Sequence, residues 1–214
     1  MLVLSPTTLS PFIDRAVAGE PLNEDNAEDW VVLGHHGTTA DQADAIVATG
    51  FKIKKNRYDW LGHGVYFFER APRRALAWAE DNLSEAEACV VAANIALSDH
   101  CLDLGELDGT ATLEGFFEEY QETYGEEHVG TLKETFGNRE LSCAVINWCC
   151  NRMSESGWEI HALRAPFEEG EPLFVHPTGS PTVRLKKMSH VQIAVRDCSL
   201  ILKTWRENKL ATKG

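Results

Sequence analysis

The stretch DWLGHGVYFF, residues 59–68, places a histidine between two glycines directly before a run of bulky apolar residues. Glycine weakens regular structure, so Gly62 and Gly64 indicate a turn, and the apolar residues from Val65 onward predict a buried strand. A metal site, a phosphate-binding loop, a plain hairpin turn and a nucleotide pocket would each explain a histidine held in this way. The sequence on either side decides between them.

Secondary-structure signals flank this stretch on both sides. Towards the N-terminus, residues 30–34 (WVVLG) predict a short buried strand. Thr39 followed by Gln42 resembles a capping box, which predicts a helix that ends at Gly50. Towards the C-terminus, Pro72 suits the first turn of a second helix. One face of that helix is formed by Ala71, Ala75, Trp78 and Ala79.

Apolar runs predict three more strands, at 88–97, 158–165 and 190–195, and a further helix at 139–153. Strands and helices do not alternate regularly, which favours an α+β fold over a doubly wound parallel sheet. The chain of 214 residues contains no Pro/Gly/Ser-rich linker, so we predict a single domain spanning 1–214.

The net charge of -13 is concentrated in one segment. Residues 98–137 hold eleven acidic residues and one basic residue, Lys133, whereas the rest of the chain is nearly neutral. We expect this segment to form an acidic helical insertion with one or two helices. A solvated surface is the simplest interpretation, and a docking face for a basic partner is the alternative.

The composition favours a cytoplasmic protein without membrane contact. No run of about 18 apolar residues occurs, so the sequence predicts no membrane span. The first residues, MLVLSPTTLSPF, lack a basic start and contain two prolines, which is unlike a signal peptide. The six cysteines form no C-x-x-C pair and lie mostly among apolar residues, which is typical of buried thiols in a reducing compartment.

Spacing excludes several site chemistries. His35, His36 and His63 lack the H-x-x-x-H or neighbouring Cys/Asp pattern of a metal site, so no metal is expected. The glycines of a P-loop or a Rossmann fingerprint follow a strand and open a helix, whereas the Gly-x-Gly of residues 62–64 comes before a strand. The remaining interpretation is a turn at which the backbone approaches another group closely.

Two segments then belong together. His36-Gly37-Thr38 follows the first predicted strand, and Gly62-His63-Gly64-Val65-Tyr66-Phe67 begins the second. In this order the chain resembles poly(ADP-ribose) polymerase-like and bacterial toxin-type ADP-ribosyltransferases. Their pattern is a strand ending in H-G-[ST], a G-x-G-x-Y-F strand and a third strand with a catalytic Glu. The match covers residues 33–79, about a fifth of the chain, and 190–197 (HVQIAVRD) is a weaker third match.

The resemblance implies two packed, mostly antiparallel sheets around an NAD cleft. It also implies transfer of a single ADP-ribose unit from NAD, the co-substrate, to a protein or nucleic-acid acceptor, with release of nicotinamide. Because bacterial relatives are often toxins or effectors, an inhibitor or antitoxin protein is a further implied partner. An NAD glycohydrolase and a non-catalytic module that binds NAD or ADP-ribose are the alternatives.

The resemblance assigns the NAD contacts to His36, Gly37, Thr38, Gly64, Tyr66 and Trp78. His36 would hydrogen-bond a ribose hydroxyl, and Gly37 would offer backbone groups to the nicotinamide carboxamide. Tyr66 would stack on the nicotinamide ring, with Trp78 on its other side, because a cationic ring is attracted to an electron-rich aromatic face. Cleavage of the N-glycosidic bond passes through an oxocarbenium-like ribose, whose positive charge the protein must stabilise.

The third strand departs from the family pattern, because Gln192 stands at the position of the catalytic Glu. Glutamine can hydrogen-bond a ribose hydroxyl, but it carries no charge and cannot act as a base. Gln192 could position the ribose for an acceptor that supplies its own nucleophile, a carboxylate such as Glu69 could serve instead, or the protein could be inactive. We favour the first, which makes His36, Tyr66 and Gln192 the predicted catalytic residues and argues against poly(ADP-ribose) synthesis.

Basic and histidine side chains near the turn are expected to meet the acceptor or the NAD pyrophosphate. They are Lys54, Lys55, Arg57, His63 and His190. The alternatives are a solvated edge for the three basic residues, a turn residue for His63 and an edge residue for His190.

Overall fold

The computed structural model describes residues 30–83, 87–97, 100–135, 137–174, 177 and 185–207. The strands in this part of the chain are β1 Val31–Thr39, β2 Val65–Glu69, β3 Ala88–Ala96, β4 Cys101–Asp103, β5 Glu134–Thr135, β6 Asn138–Arg139, β7 Ala162–Phe167, β8 His190–Val195 and β9 Ile201–Arg206. The helices are α1 Ala40–Thr49, α2 Pro72–Asn82, α3 Leu107–Tyr124, α4 Glu126–Thr131 and α5 Glu140–Glu155, with a short 3-10 turn at Cys198–Leu200. The opening residues compared with a signal peptide lie outside the described residues.

The architecture is mixed α+β, as predicted. Seven strands form one sheet in the order β4-β7-β8-β2-β1-β3-β9, and β5 and β6 form a separate two-stranded sheet. Five of the six neighbouring pairs in the larger sheet are antiparallel, and β4 pairs with β7 in parallel. The mostly antiparallel character expected for the chain is therefore present.

The expectation of two packed sheets needs correction. In the described residues β1 and β2 pair with each other, so the strands on either side form one continuous sheet. The pairing is short and consists of Gly34–Glu69 and His35–Phe68. The N–H of Arg70 extends it by donating to the Leu33 carbonyl oxygen at 2.8 Å. We call this short junction between β1 and β2 the seam.

Helices cover both faces of the sheet. Directly paired residues of neighbouring strands share a face, so Tyr66, Phe68 and Gln192 lie on one side, which we call the front face. Helix α2 packs there through Ala75 and Leu76, and α5 packs there through the apolar side chains Ile146, Cys149, Cys150 and Met153. Helix α1 covers the opposite, back face, where Ala43 contacts Cys89 and Val91.

Local sequence signals placed the first two helices correctly. The Thr39 hydroxyl accepts a hydrogen bond from the Gln42 N–H at 3.4 Å, and α1 ends at Gly50, whose φ is 82°. Helix α2 begins at Pro72 as predicted, with Ala75 and Ala79 buried. The first strand is longer than predicted, because β1 continues through Thr39. His36, Gly37 and Thr38 therefore lie within the strand.

Other boundaries differ from the sequence-based expectations. The strand predicted at 158–165 is β7, Ala162–Phe167, and an additional strand, β9, follows β8. Strand β9 was missed because none of its residues is fully buried and its apolar pattern is weak. The helix predicted at 139–153 is α5, Glu140–Glu155.

The acidic segment 98–137 is largely helical, as expected, within the part of it that the structure describes. It contributes β4, α3, α4 and β5, and residues 98, 99 and 136 lie outside the described residues. Its helices are not simply solvated. Tyr120 of α3 and Val129 of α4 are buried against Val145 of α5, so the segment joins the core through α5.

The six cysteines are free thiols, five of them buried and Cys198 half-buried. Burial of these thiols agrees with their prediction as small apolar residues. None of the described helices is long and apolar enough to cross a membrane.

Candidate functional site

The candidate site lies where the seam ends. Alternate residues of a strand direct their N–H and C=O groups to the same edge. The Leu33 carbonyl accepts from Arg70 next to β2, so the backbone groups of His35 and Gly37 face β2 as well. The β1–β2 ladder ends at His35–Phe68. Gly37 therefore turns one donor and one acceptor towards the gap that opens between the two strands.

In a longer ladder the Tyr66 carbonyl oxygen would accept from the Gly37 N–H. Here it accepts from the His36 ring instead. Nδ1 of His36 lies 2.8 Å from the Tyr66 carbonyl oxygen, which can only accept, so Nδ1 carries the proton. Burial lowers the pKa of His36, and the charge of nearby Lys54 lowers it further against the opposing effect of the Tyr66 carbonyl. The ring is thus neutral at pH 7, and its Nε2 has a lone pair that can accept a hydrogen bond.

The ring of His36 lies on the back face of the sheet. It contacts Phe51 edge-on at 5.2 Å between ring centroids and Phe67 at 5.9 Å. The Tyr66 ring packs on the front face against the cluster under α5. The structure thus brings His36 to the backbone of Tyr66 rather than to its side chain. A ligand could meet both residues only at the gap between β1 and β2.

Gly37 is required by the packing of α2 as well as by its place at the gap. A Cβ atom there would lie 2.2 Å from the Ala75 carbonyl oxygen and 3.2 Å from Cε3 of Trp78. Helix α2 therefore fills the space that a side chain at Gly37 would need. Trp78 is 37% exposed, so its indole stands partly open beside Gly37. Its predicted role as a stacking partner is compatible with this position.

Thr38 and Gly64 have protein partners. The Thr38 side chain is 1% exposed and its hydroxyl donates to Oε1 of Gln42 at 2.9 Å. This hydroxyl could donate to a ligand only if that bond were broken. A Cβ at Gly64 would lie 3.0 Å from the Val195 carbonyl oxygen, so strand β8 occupies the space that the sequence argument gave to a ligand. Both NAD contacts remain predictions.

Tyr66 fastens the glycine-rich turn before β2. Its hydroxyl donates to the Gly62 carbonyl oxygen at 2.6 Å and accepts from the Leu61 N–H at 2.8 Å. Burial raises the pKa of this hydroxyl, which therefore stays protonated and can donate. Gly62 has a φ of 69°, a conformation that favours glycine. The tyrosine thus holds the turn in shape, whatever its ring contacts.

Two residues that the sequence argument missed hold the same turn from outside. Oδ1 of Asn147 accepts from the His63 N–H at 3.1 Å and from Nη1 of Arg196 at 2.9 Å. The same Nη1 donates to the His63 carbonyl oxygen at 3.1 Å. Burial lowers the pKa of the His63 side chain, and the charges of Arg196 and Lys55 add to this effect. The backbone of His63 is therefore structural, as the turn-residue interpretation proposed. Its ring makes no hydrogen bond to any of the described residues, so the acceptor contact remains a prediction.

Replacing Tyr66 by phenylalanine should lower the free energy of unfolding by about 2 kcal/mol, because the Leu61 N–H and the Gly62 carbonyl lose their partner. Urea unfolding followed by tryptophan fluorescence measures the change. Tyr58→Phe is the matched control, since Tyr58 is 50% exposed and its replacement should change stability by less than about 0.5 kcal/mol. Equal stability of the two variants would show that Tyr66 does not fasten the turn.

Gln192 and His190 form one hydrogen-bonded pair on the front face. Nε2 of Gln192 lies 2.8 Å from Nε2 of His190, and Nδ1 of His190 lies 2.7 Å from the Met188 carbonyl oxygen. The His190 side chain is 1% exposed. Its predicted contact with an acceptor needs correction, because both ring nitrogens already have protein partners and the ring is buried. Gln192 is half-buried and pairs with Phe68 of β2.

Glu69, the alternative carboxylate, is held by an arginine. Nε of Arg164 lies 2.6 Å from Oε2 of Glu69, and Nη1 of Arg164 lies 2.9 Å from Oδ2 of Asp103. Glu69 lies opposite Gly34 in the register, one position from Phe68, so its side chain is on the back face, away from Gln192. This arrangement disfavours Glu69 as a substitute base.

The predicted basic side chains line the approach to the turn. Lys54, Lys55 and Arg57 are exposed, Lys54 forms an isolated bridge with Gly64, and Arg57 pairs with Glu140 at 3.3 Å. The charges of Lys54 and Lys55 reach His36 and His63 respectively. The two lysines therefore lie close enough to the site to meet an anionic ligand, while Arg57 is engaged by a carboxylate.

Two cavities open on the front side of the protein. One of about 360 Å³ lies between α3 and α5 and is lined mainly by apolar residues such as Leu113, Phe117 and Val145. The other, of about 220 Å³, is walled by Trp60, Arg139 and Phe167. None of the NAD-contact residues predicted from the sequence lines either cavity. Within the described residues no group of three or more His, Cys, Asp or Glu is arranged to hold a metal ion.

No protein-family model matches the chain, and no curated protein matches it. The protein has a mixed α+β fold, and its candidate site lies where strands β1 and β2 separate.

Proposed function

We propose that the protein transfers a single ADP-ribose unit from NAD to a protein or nucleic-acid acceptor and releases nicotinamide. The observation that carries the proposal is the hydrogen bond from His36 to the Tyr66 carbonyl, which leaves the N–H and C=O of Gly37 facing the gap. A primary carboxamide such as that of nicotinamide has a carbonyl acceptor and an NH2 donor group to match them.

The neighbouring side chains suit the rest of the co-substrate. The exposed indole of Trp78 stands beside Gly37, where it would attract the cationic nicotinamide ring. Nε2 of the neutral His36 would accept from a ribose hydroxyl, and Lys54 lies close enough to His36 to meet the pyrophosphate. NAD would then lie across the gap, between the front and back faces.

The uncharged Gln192 limits the chemistry to a simple transfer. An amide cannot remove a proton from an incoming nucleophile, so the acceptor must already be nucleophilic. The same fact favours the second candidate, a module that binds NAD or ADP-ribose without turnover. The pairing of Glu69 with Arg164 supports this candidate too, because it leaves no free carboxylate at that position.

Incubating the pure protein with NAD carrying a label on the adenylate, with and without cell lysate, separates the candidates. We expect nicotinamide release that depends on lysate and label retained on protein or RNA. Release of free ADP-ribose alone would identify a glycohydrolase. Binding without nicotinamide release in any lysate would leave the non-catalytic module.

The histidine variants test the site itself. His36→Ala should reduce turnover about tenfold or more, because it removes the ribose acceptor and leaves the Tyr66 carbonyl without its donor. His128→Ala is the matched control, since His128 lies in α4, where its ring contacts Tyr120. Full activity of the His36 variant, measured as nicotinamide release, would contradict the assignment of the site.

A further inference from the structure

The ring of His190 is held in one plane between aromatic side chains. It stacks on Phe167 with 5.8 Å between ring centroids and 23° between planes, and it lies 4.9 Å from Phe68 in a tilted arrangement. Its side chain is 1% exposed. Since the ring cannot leave this slot without unpacking both phenylalanines, its two nitrogens point in fixed directions.

The groups that face Nδ1 decide which nitrogen of the neutral His190 ring carries the proton. The Met188 carbonyl oxygen is 2.7 Å from Nδ1, and Oε2 of Glu169 is 3.7 Å from it. Both oxygens are acceptors, so Nδ1 must carry the hydrogen. In the neutral imidazole Nε2 then has a lone pair and no proton.

The carboxamide of Gln192 must therefore donate a hydrogen bond to this lone pair. Its Nε2 lies 2.8 Å from Nε2 of His190, and the reverse orientation would place the amide oxygen against the lone pair. The amide nitrogen is therefore directed at His190. The amide oxygen is therefore directed away from His190, and Gln192 itself is half-buried on the front face, opposite Phe68 in the register.

We infer that His190 is a positioning residue that fixes the Gln192 carboxamide with its oxygen presented to the ligand, so that this position selects a hydrogen-bond donor such as a ribose hydroxyl. The inference rests on the proposed function for the identity of the ligand. An anionic group such as a phosphate or a carboxylate would meet an oxygen there and be disfavoured. A glutamate could not be fixed in this way, because it offers His190 no donor when ionised.

Charged groups from two other segments affect the protonation of His190 and therefore the orientation of the Gln192 carboxamide. Glu169, after β7, is 3.7 Å from Nδ1 of His190 and is also paired with Arg74 of α2, whose guanidinium lies 5.0 Å above the Phe68 ring. Burial lowers the pKa of His190, Arg74 lowers it further, and the Met188 carbonyl and Glu169 oppose this effect. The neutral ring is therefore the form present near pH 7. Protonation at lower pH would put a hydrogen on Nε2 and reverse the amide.

Long-range proton–nitrogen NMR spectra of the histidine side chains test the orientation without any ligand. At pH 7.5 we expect the His190 signals of a ring protonated at Nδ1 and bare at Nε2. A ring protonated at Nε2 would overturn the inference. In Gln192→Glu the ionised carboxylate needs a donor, so the pKa of His190 should rise above its value in the wild type. An unchanged pKa would also overturn it.

NAD binding tests the consequence for the ligand. His190→Phe keeps an aromatic ring between the phenylalanines but leaves Gln192 free to rotate, and it should weaken NAD binding roughly fivefold, the equivalent of one neutral hydrogen bond. His161→Phe is the control, because His161 stacks on His100 outside this pair, and its affinity should be unchanged. Equal affinity of the His190 variant and the wild type would refute the role in ligand selection.

The two measurements also separate this inference from the proposed function. If the wild type neither binds nor cleaves NAD while His190 shows the expected proton position, the proposed function fails and the orientation of Gln192 stands. If NAD is cleaved but His190 is protonated at Nε2, the proposed function stands and the inference fails.

Discussion

Gly37→Ala should destabilise the protein by roughly 3 kcal/mol or more, one of the two largest effects we expect from a single substitution. The added Cβ would lie 2.2 Å from the Ala75 carbonyl oxygen, far inside the contact distance of the two atoms. This oxygen belongs to the backbone of α2, so the whole helix has to move. Chemical denaturation followed by circular dichroism measures the loss in the free energy of unfolding.

The matched control is the same substitution at Gly115, in the middle of α3. A Cβ there meets nothing within 4 Å, and alanine is the better helix former. Gly115→Ala should therefore stabilise the protein by up to about 1 kcal/mol. If Gly37→Ala lost less than about 0.5 kcal/mol, α2 would not be packed against β1 in the way described.

Arg164→Met should have the second large effect, a loss of about 3 kcal/mol. Arg164 lies on β7 and pairs with Glu69 of β2 and Asp103 of β4, so one side chain ties three strands together. The side chain of Arg164 is 22% exposed, and those of Glu69 and Asp103 are 16% and 13% exposed. Methionine fills similar space but leaves both carboxylates charged and close together without a cation.

Arg152→Met provides the comparison. Arg152 also pairs with two carboxylates, Glu119 and Glu155, but its side chain is 42% exposed and those of its partners are 35% and 62% exposed. Solvent screens these pairs, so the loss in urea unfolding should stay below about 1 kcal/mol. Equal losses for the two arginine variants would contradict the importance given to the partly buried triad.

Local signals in the sequence were enough to predict the elements that depend on neighbouring residues. The cap at Thr39, the stop at Gly50 and the start at Pro72 each act within a few positions, and α1 and α2 follow them. Strand β9 depends instead on pairing with β3 at a sheet edge. Its sequence, ILKTWR, has no regular alternation of apolar and polar residues, so no local pattern predicted it.

In the candidate site too, residues in local motifs could be predicted, whereas residues that act through distant contacts could not. The motifs identified His36, Gly37 and Tyr66, and the structure links these three at the end of the seam. Asn147 and Arg196, which hold the turn, lie 84 and 133 residues from His63. Contacts over such distances leave no mark in a single sequence. The sequence also could not tell that helix α2 and strand β8, rather than a ligand, fill the space beside Gly37 and Gly64.

The seam has a mechanical consequence. Two residue pairs join β4-β7-β8-β2 to β1-β3-β9, so the sheet resists twisting least along this line. His36 belongs to β1 in one half of the sheet, and its ring donates to the Tyr66 carbonyl of β2 in the other half. This hydrogen bond lies at the point where the two halves separate. A small rotation of one half against the other would change the width of the opening beside Gly37. The His36–Tyr66 hydrogen bond therefore holds the two halves together beside this opening, along with the Arg70–Leu33 backbone bond and the packing of α2 on Phe68 and Val90.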